Sequence, residues 1–153
     1  MQKSYTVEEA KKKLEYYCAY QERCHEEVIQ KLKELNMIPQ AIDVIVVYLI
    51  DNNFLNEERF ACSFARGRFR IKHWGKVRIV NELKSRNISG YNINKALLEI
   101  PQEEYLEAFS LLFEKEWEQS NEKDQRKKKK KILDLLLRKG YESSMILDML
   151  YSK

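Results

Sequence analysis

Apolar residues recur along nearly the whole chain at intervals of three and four positions, which is the spacing of one face of an α-helix. The run Val44–Tyr48 is rich in β-branched residues and could be taken for a strand. It lies in a longer segment that begins at Pro39, where Ile42, Ile45 and Leu49 have helical spacing, so we predict a buried helix there. The pattern predicts an all-α chain with nine helices, at about residues 7–20, 24–36, 39–53, 56–72, 74–86, 91–99, 101–121, 125–139 and 143–152.

Several predicted helices begin at residues that satisfy the unpaired amides of a first turn. Thr6 with Glu9 three positions later forms a capping box. Asn56 can cap the helix that follows it. Pro39 and Pro101 suit a first turn, where the missing amide hydrogen costs nothing.

The predicted helix ends expose an internal repeat. Asn36, Asn87 and Gly140 each follow a helical run, and Asn and Gly tolerate the left-handed conformation that ends a helix. In each copy a leucine lies five positions before a large apolar residue, which lies five positions before an isoleucine. The three sets are Leu32, Met37 and Ile42; Leu83, Ile88 and Ile93; and Leu136, Tyr141 and Ile146.

The spacing between copies is about 50 residues, which is enough for three short helices. We therefore predict an elongated array of three tandem three-helix, helix-turn-helix-like repeats, at about residues 1–53, 54–100 and 101–153. The alternative is a single nine-helix globule in which the similarity is accidental.

Composition agrees with a folded protein of this kind. The 153 residues are 44% hydrophobic and 34% charged, which argues against wholesale disorder. The longest apolar run, Val44–Ile50, is far too short to span a membrane. Three cysteines, Cys18, Cys24 and Cys62, are an odd number without disulfide spacing. We expect a soluble cytoplasmic protein, and a monomer because no heptad seam stands out.

The net charge of +4 hides alternating blocks. Residues 66–86 and 126–153 are strongly basic, whereas residues 1–65 and 87–125 are acidic on balance. Such an arrangement indicates a surface for a polyanion, or for a partner whose own charge alternates.

The first candidate surface is the set of eight cations in residues 66–86, called here the basic segment. Its members are Arg66, Arg68, Arg70, Lys72, Lys76, Arg78, Lys84 and Arg86. Arg66 and Arg70 share a helix face, with Phe60 and Phe64 directed to the core. Glu82 is the only acidic residue of the segment, which favours partner binding over an ordinary solvated face.

Arg78 has a structural alternative. It could hold the preceding helix through a carboxylate such as Glu57 or Glu58, and the sequence does not decide between this and a partner role.

The second candidate surface is called here the lysine run and comprises Arg126, Lys127, Lys128, Lys129, Lys130 and Lys131. A helix would spread these cations around its circumference, so they cannot all meet one partner. They also oppose the helix dipole, and we expect this end to fray. The run is equally compatible with a solvated helix start or flexible basic linker and with an auxiliary contact to a polyphosphate or a filament.

The sequence gives little support for catalysis. It contains no glycine-rich phosphate loop and no nucleophile elbow. Cys18, Cys24 and His25 lack a fourth ligand at any known zinc spacing. Trp74 and Trp117 are expected to pack rather than to stack on bases. We therefore predict a protein that is not an enzyme and needs no metal or other cofactor.

The segment from Leu55 to Ile88 carries a family resemblance. Its fixed order is Leu55-Asn56-Glu57-Glu58, Arg59-Phe60-Ala61, the alternating cations, Gly75, Arg78-Ile79, Glu82-Leu83 and Asn87-Ile88. This order resembles the central signature of the RecX family. The first repeat also resembles it, from Arg23 to Leu32. Asn36 and Asn87 stand where the family has glycine, and Cys24 stands near a family serine.

The resemblance implies tandem three-helix units and a regulatory role. RecX proteins bind the RecA filament on single-stranded DNA, lie in its groove and inhibit its ATPase, strand-exchange and coprotease activities. By resemblance, the expected partner is that filament, with possible weak direct DNA contact, through the basic segment and secondarily the lysine run. The alternative is a helical module that binds DNA or RNA directly.

Overall fold

The computed structural model describes residues 4–153, and within that range it consists of helices and connecting turns, without a strand. The nine helices are α1 (Val7–Tyr20), α2 (His25–Glu34), α3 (Pro39–Asp51), α4 (Glu57–Arg70), α5 (Lys76–Ser85), α6 (Gly90–Leu97), α7 (Gln102–Gln119), α8 (Gln125–Lys139) and α9 (Ser143–Tyr151). The prediction of an all-α chain with these nine elements is confirmed, including a helix rather than a strand at Val44–Tyr48.

The predicted helix bounds agree with the observed ones to within about three residues, and most of the larger differences lie at the C-terminal ends of the helices. α4 stops at Arg70, two residues before the predicted end, because the chain turns at His73, which adopts a φ of 59°. The Trp74 amide then donates to the Arg68 carbonyl at 3.1 Å and closes the last turn. Pro101, predicted to lie in the first turn of a helix, is instead the N-cap residue of α7, one position before its start.

The predicted caps are present. Thr6 and Glu9 exchange side-chain and backbone hydrogen bonds at 3.1 and 3.0 Å, which makes a complete capping box. The Asn56 side chain accepts from the Arg59 amide at 2.8 Å at the start of α4. Pro39 is the first residue of α3.

The three predicted repeat stops share one backbone geometry. Asn36, Asn87 and Gly140 have φ values of 60°, 59° and 101°. The residue after each one donates its amide to the carbonyl of the repeat leucine, at 3.1 Å in all three copies. This bond closes a left-handed helix end and turns the chain toward the next helix. The prediction of tandem helical repeats is therefore confirmed at the level of hydrogen bonds.

The chain forms two compact units, Met1–Ser63 and Phe64–Lys153, so that the boundary falls within α4. The core of the first unit packs α1, α2 and α3 around Leu14, Leu32 and Ile45, and Leu55 closes it. The division into domains at residues 1–53, 54–100 and 101–153 stays a prediction.

The core of the second unit contains a cluster of aromatic rings. Tyr105 stacks on Tyr141 with centroids 5.5 Å apart, and Tyr141 contacts Phe109 at 5.3 Å. Phe69 packs on the other side of Tyr105 at 5.9 Å. This cluster joins α4, α7 and the turn before α9, so it positions the basic segment.

Candidate partner-binding surfaces

The turn between α4 and α5 is fixed by a crossing of two glycines. A Cβ on Gly75 would lie 2.3 Å from the carbonyl carbon and oxygen of Gly140, so only glycine fits there. A Cβ on Gly140 would lie 2.2 Å from the Cβ of Arg78, and Gly140 also has the left-handed φ that favours glycine. The glycine of the Gly-x-x-Arg-Ile motif is therefore explained by close backbone contact.

At this crossing the start of α5 meets the end of α8. The Gly75 amide donates to the Lys139 carbonyl at 2.8 Å, and the Val77 amide donates to the Gly140 carbonyl at 2.9 Å. The unpaired donors of one helix thus satisfy the unpaired acceptors of another, and the two helix dipoles meet with opposite sign.

Tyr105 satisfies a further unpaired amide in the first turn of α5. Its hydroxyl accepts from the Lys76 amide at 3.0 Å and donates to the Glu142 carboxylate. Burial raises the pKa of Tyr105 far above its usual value, with a further rise from the hydrogen bond to Glu142. The Tyr141 hydroxyl donates to the His73 carbonyl at 3.0 Å, and burial raises the pKa of Tyr141 to about 12.

Four cations of the basic segment are held by this framework. The Arg78 guanidinium lies 4.1 Å from the centroid of Trp74 and donates to the Arg138 carbonyl at 3.3 Å. Arg68 lies over Phe64 at 4.7 Å and over Trp74 at 5.4 Å. Trp74 therefore packs between two guanidinium groups, which agrees with the expectation that it packs within the fold.

The other two held cations are Lys76 and Arg86. Lys76 extends over the Tyr105 ring at 4.5 Å and reaches the Gln102 side chain at 3.2 Å. Arg86 forms an ion pair with Glu82 at 2.9 Å and covers Phe64. These half-buried cations act mainly inside the fold.

Arg66 and Arg70 each have an acidic partner that the linear charge pattern hides. Arg66 pairs with Glu99 at 3.0 Å, and Arg70 pairs with Glu104 at 3.9 Å. Glu82 is the only acid within the segment, but folding brings carboxylates from the acidic block 87–125 to α4. Both pairs are roughly half exposed, so solvent screens them and a competing anion can replace the carboxylates.

Lys72 and Lys84 are exposed, and neither has a carboxylate within 4.0 Å among residues 4–153. Lys139 joins them, because its ammonium donates to the Lys72 carbonyl at 3.3 Å. The sequence pattern did not single out Lys139, which is brought to this turn by the Gly75–Gly140 crossing. The accessible part of the basic segment is therefore Arg66, Arg70, Lys72 and Lys84, extended by Lys139.

The lysine run forms the first turns of α8. Asp124 caps this helix by accepting from the Arg126 and Lys127 amides at 2.9 and 3.3 Å, so a well-placed acid opposes the fraying that we expected. Lys128 lies over Trp117 at 4.0 Å. Lys129 is half-buried. The segment is a helix start and not a flexible linker.

Two further members of the run pair with acids, one in the loop before α8 and one a turn later in α8. Lys131 donates to Glu122 at 3.0 Å, and this hydrogen bond lowers the pKa of the Glu122 carboxyl. Lys130 pairs with Asp134 at 3.2 Å. Arg126 and Lys127 are left as the most available cations of the run, which limits it to an auxiliary surface.

Arg59, of the Arg-Phe-Ala motif, is a structural residue of the first unit. Its guanidinium contacts the Glu22 carboxylate and donates to the Asn53 carbonyl at 3.0 Å and the Phe54 carbonyl at 3.3 Å. Asn53 has a φ of 62°, so Arg59 fixes the left-handed turn between α3 and α4. Phe60 and Ala61 of the motif are buried.

Within residues 4–153 no group of three His, Cys, Asp or Glu side chains is placed to hold a metal ion. None of the described helices has both the length and the apolar character needed to cross a bilayer. Burial raises the pKa of the Cys18 thiol to about 11, which makes that cysteine a poor nucleophile at neutral pH.

Two family models match the chain. Residues 56–97 match the second three-helix domain of RecX, and residues 102–150 match its third three-helix domain. The first match contains the basic segment, and the second contains the lysine run.

Known proteins and structures point the same way. The chain is 26% identical over 130 residues to the regulatory protein RecX of Bacillus mycoides and 25% identical to that of Bacillus cytotoxicus. In both cases the match covers 85% of this chain and 48% of the relative, so the chain matches about half the length of these curated relatives.

A crystal structure of RecX from Lactobacillus salivarius superposes with a TM-score of 0.80 at 25% identity, covering 96% of this chain and 97% of that one. A second RecX crystal structure, at 22% identity, shares the fold with the same TM-score and covers 96% of this chain and 74% of that one. The helix order, the repeat stops and these matches together place the chain in the RecX family of regulatory proteins.

Proposed function

We propose that this protein regulates the RecA recombinase by binding its filament on single-stranded DNA, and that it mainly inhibits the filament's ATPase, strand-exchange and coprotease activities. The proposal rests on membership of a family of regulatory proteins. It assigns the protein no catalytic residues and no cofactor, and it places the action in the cytoplasm, where the filament forms.

The observation that carries the proposal is the accessible part of the basic segment in the second three-helix domain. Arg66, Arg70, Lys72 and Lys84 project from a framework that the Gly75–Gly140 crossing holds in place. A rigid support lowers the entropy lost when side chains are fixed on binding. A filament repeats the same surface on successive protomers, so several modest contacts add to a firm attachment.

The two exposed ion pairs of Arg66 and Arg70 can exchange their own carboxylate for one on a partner protein. Arg66 and Glu99 have side chains that are 40% and 39% exposed, and Arg70 and Glu104 are more exposed still. Breaking such a pair costs little, since exposed pairs contribute about 1 kcal/mol or less. A carboxylate on the partner can therefore replace Glu99 or Glu104 at small net cost.

We expect the triple variant Arg70→Glu, Lys72→Glu and Lys84→Glu to lose most of the inhibition. The wild type should inhibit the DNA-dependent ATPase of the cognate RecA at substoichiometric concentrations, and the variant should need at least about 10-fold more protein. The measurement is steady-state ATP hydrolysis on single-stranded DNA. All three side chains are exposed, so circular dichroism should show an intact helical fold.

A matched control carries the same change of net charge elsewhere. The control reverses three exposed lysines of the acidic block 87–125, by the substitutions Lys95→Glu, Lys115→Glu and Lys123→Glu. This control should inhibit like the wild type. If both variants lose inhibition equally, net charge alone matters. If both inhibit as well as the wild type, the basic segment plays no part in the inhibition.

Direct nucleic-acid binding is the second candidate, favoured by the helical, exposed Arg126 and Lys127 at the start of α8. Binding to phosphates alone should weaken steeply with rising salt, whereas an interface with a protein should persist better. Tight binding to bare DNA together with no effect on the ATPase at equimolar protein would favour this candidate.

A further inference from the structure

A groove in the first unit is lined by tyrosines and cations and by no acidic side chain. Its volume is about 680 Å³, and its walls are four tyrosines, four basic residues and Leu35. It lies apart in sequence from the basic segment and the lysine run. Its makeup is unexpected in this part of the chain, because residues 1–65 are acidic on balance.

One stripe of α1 supplies most of the groove. Lys12, Tyr16 and Tyr20 are spaced by four residues, and Lys13 and Tyr17 lie beside them with the same spacing, so all five share one side of the helix. The Tyr16 and Tyr20 side chains are 75% and 74% exposed. Two large rings on one stripe that are about three-quarters exposed are available to a partner.

Tyr17 and Arg23 form the floor of the groove. The Arg23 guanidinium lies 3.6 Å from the centroid of Tyr17 and donates to the Tyr17 carbonyl at 3.0 Å, so both groups are fixed before any partner arrives. Arg23 and Lys31 also have carboxylate neighbours, Glu27 and Glu34, each at 3.9 Å. These two cations are therefore largely neutralised within the protein.

The uncompensated charge of the groove comes from Lys12 and Lys13. Lys13 lies over the Tyr5 ring at 5.0 Å, and neither lysine has a carboxylate within 4.0 Å among residues 4–153. Of the carboxylates of α1, Glu8 pairs with Lys11, Glu9 accepts from the Thr6 amide at 3.0 Å, and Glu15 accepts from the Tyr48 hydroxyl at 2.8 Å. Lys12 and Lys13 are therefore not held in an ion pair within α1, and an anionic partner can approach them.

We propose that this groove binds single-stranded nucleic acid, with bases stacked on Tyr16 and Tyr20 and phosphates on Lys12 and Lys13. Aromatic faces beside a positive groove are the combination by which proteins hold a single strand without sequence preference. An acidic peptide would use the lysines but would gain nothing from two exposed rings.

The ring spacing selects a single strand over a duplex. Tyr16 and Tyr20 are one helical turn apart, about 6 Å along the axis. Bases within a duplex strand are about 3.4 Å apart and are paired on their inner edges. Only a strand whose bases are unstacked can place successive bases on both rings.

The test is fluorescence anisotropy of the full chain with a short labelled oligothymidine, and with a hairpin duplex of the same length. The wild type should bind the single strand more tightly than the duplex. Tyr16→Ala with Tyr20→Ala should weaken single-strand binding by on the order of 25-fold, from about 5-fold or more for each ring. Tyr16→Phe with Tyr20→Phe should keep the wild-type affinity, because phenylalanine retains the stacking face.

Two controls separate stacking from charge. Tyr91→Ala with Tyr151→Ala removes two equally exposed tyrosines of the second unit and should leave binding unchanged. Lys12→Glu with Lys13→Glu should weaken binding and flatten its dependence on salt.

Three results would overturn the proposal: wild-type affinity in the Tyr16→Ala, Tyr20→Ala variant, equal binding of duplex and single strand, or competition by polyglutamate as effective as that by the oligonucleotide. The assay contains no recombinase, so its outcome is independent of the proposed function.

Discussion

Replacing Gly75 by alanine is expected to destabilise the second unit by about 3 kcal/mol, at the upper end of the usual cost of overpacking. The added Cβ would lie 2.3 Å from the backbone of Gly140, and backbone atoms cannot rotate away as a side chain can. To make room, the start of α5 must separate from the end of α8. That movement breaks the bonds from the Gly75 and Val77 amides to the Lys139 and Gly140 carbonyls.

The chain supplies both a local probe and a matched control for this variant. Trp74 and Trp117 both lie in the second unit, so tryptophan fluorescence during urea unfolding reports on that unit alone. Gly67 lies inside α4, and a Cβ there meets nothing within 4 Å. Gly67→Ala should therefore stabilise by about 0.5–1 kcal/mol, since alanine favours the helix.

The sign difference between the two glycine variants is the critical result. A Gly75→Ala protein with the stability of the wild type would show that the two backbones do not touch, and the packing account of the Gly-x-x-Arg-Ile motif would fail.

Raising the pH from below 10 to above 12 is expected to destabilise the second unit by about 3 kcal/mol through Tyr141 alone. The ordinary pKa of an unfolded tyrosine is about 10, whereas burial raises the pKa of Tyr141 to about 12 in the fold. Because the folded pKa is raised, the folded unit favours the neutral phenol. The stability is fully present below pH 10 and is lost between about pH 10 and 12. Tyr105, whose pKa is raised further, adds to the loss in the same direction.

Tyrosinate absorbance and tryptophan fluorescence should be followed together during the alkaline titration. The buried pair, Tyr105 and Tyr141, should ionise only when the second unit unfolds. Tyr141→Phe should cost about 1 kcal/mol at neutral pH for its lost bond to His73 and should lose stability less steeply above pH 10. Stability that stays constant from pH 9 to 12 would contradict the burial of these phenols.

The sequence was sufficient for the features that depend on local chemistry. Asn36, Asn87 and Gly140 could be predicted as stops because left-handed helix ends favour few residue types, and Thr6 with Glu9 is a local capping signal. Nine helices and their repeat followed from spacing and these signals. The family order also predicted the fold, because RecX proteins are built from the same units.

The missing features depend on residues that are distant along the chain. Nothing local shows that Gly75 will meet Gly140, or that Glu99 and Glu104 will reach Arg66 and Arg70. The cap by Asp124 could have been found, since an aspartate directly before a helical run is a common start signal. The groove of the first unit could also have been noticed from the four-residue spacing of Lys12, Tyr16 and Tyr20.

The signature of the basic segment therefore combines two kinds of residue. Arg68 and Arg78 hold Trp74, and Lys76 and Arg86 cover aromatic rings, so substituting them would test the fold more than the partner. Arg66, Arg70, Lys72 and Lys84 are accessible, and we expect substitutions there to leave the framework intact. A substitution at Arg78 would alter the fold and the partner surface together, so a loss of inhibition could not be assigned to either.

The central claim, attachment to the recombinase filament, is tested most directly by sedimentation. RecA should be assembled with a nucleotide that keeps the filament on long single-stranded DNA, at a concentration that covers the strand, and then centrifuged with this protein. The account predicts that the wild type and the Tyr16→Ala, Tyr20→Ala variant both enter the pellet with the filament, whereas the Arg70→Glu, Lys72→Glu, Lys84→Glu variant stays in the supernatant. Sedimentation of the wild type only when RecA is too scarce to cover the DNA would contradict the account, because the protein would then be binding the bare strand and not the filament.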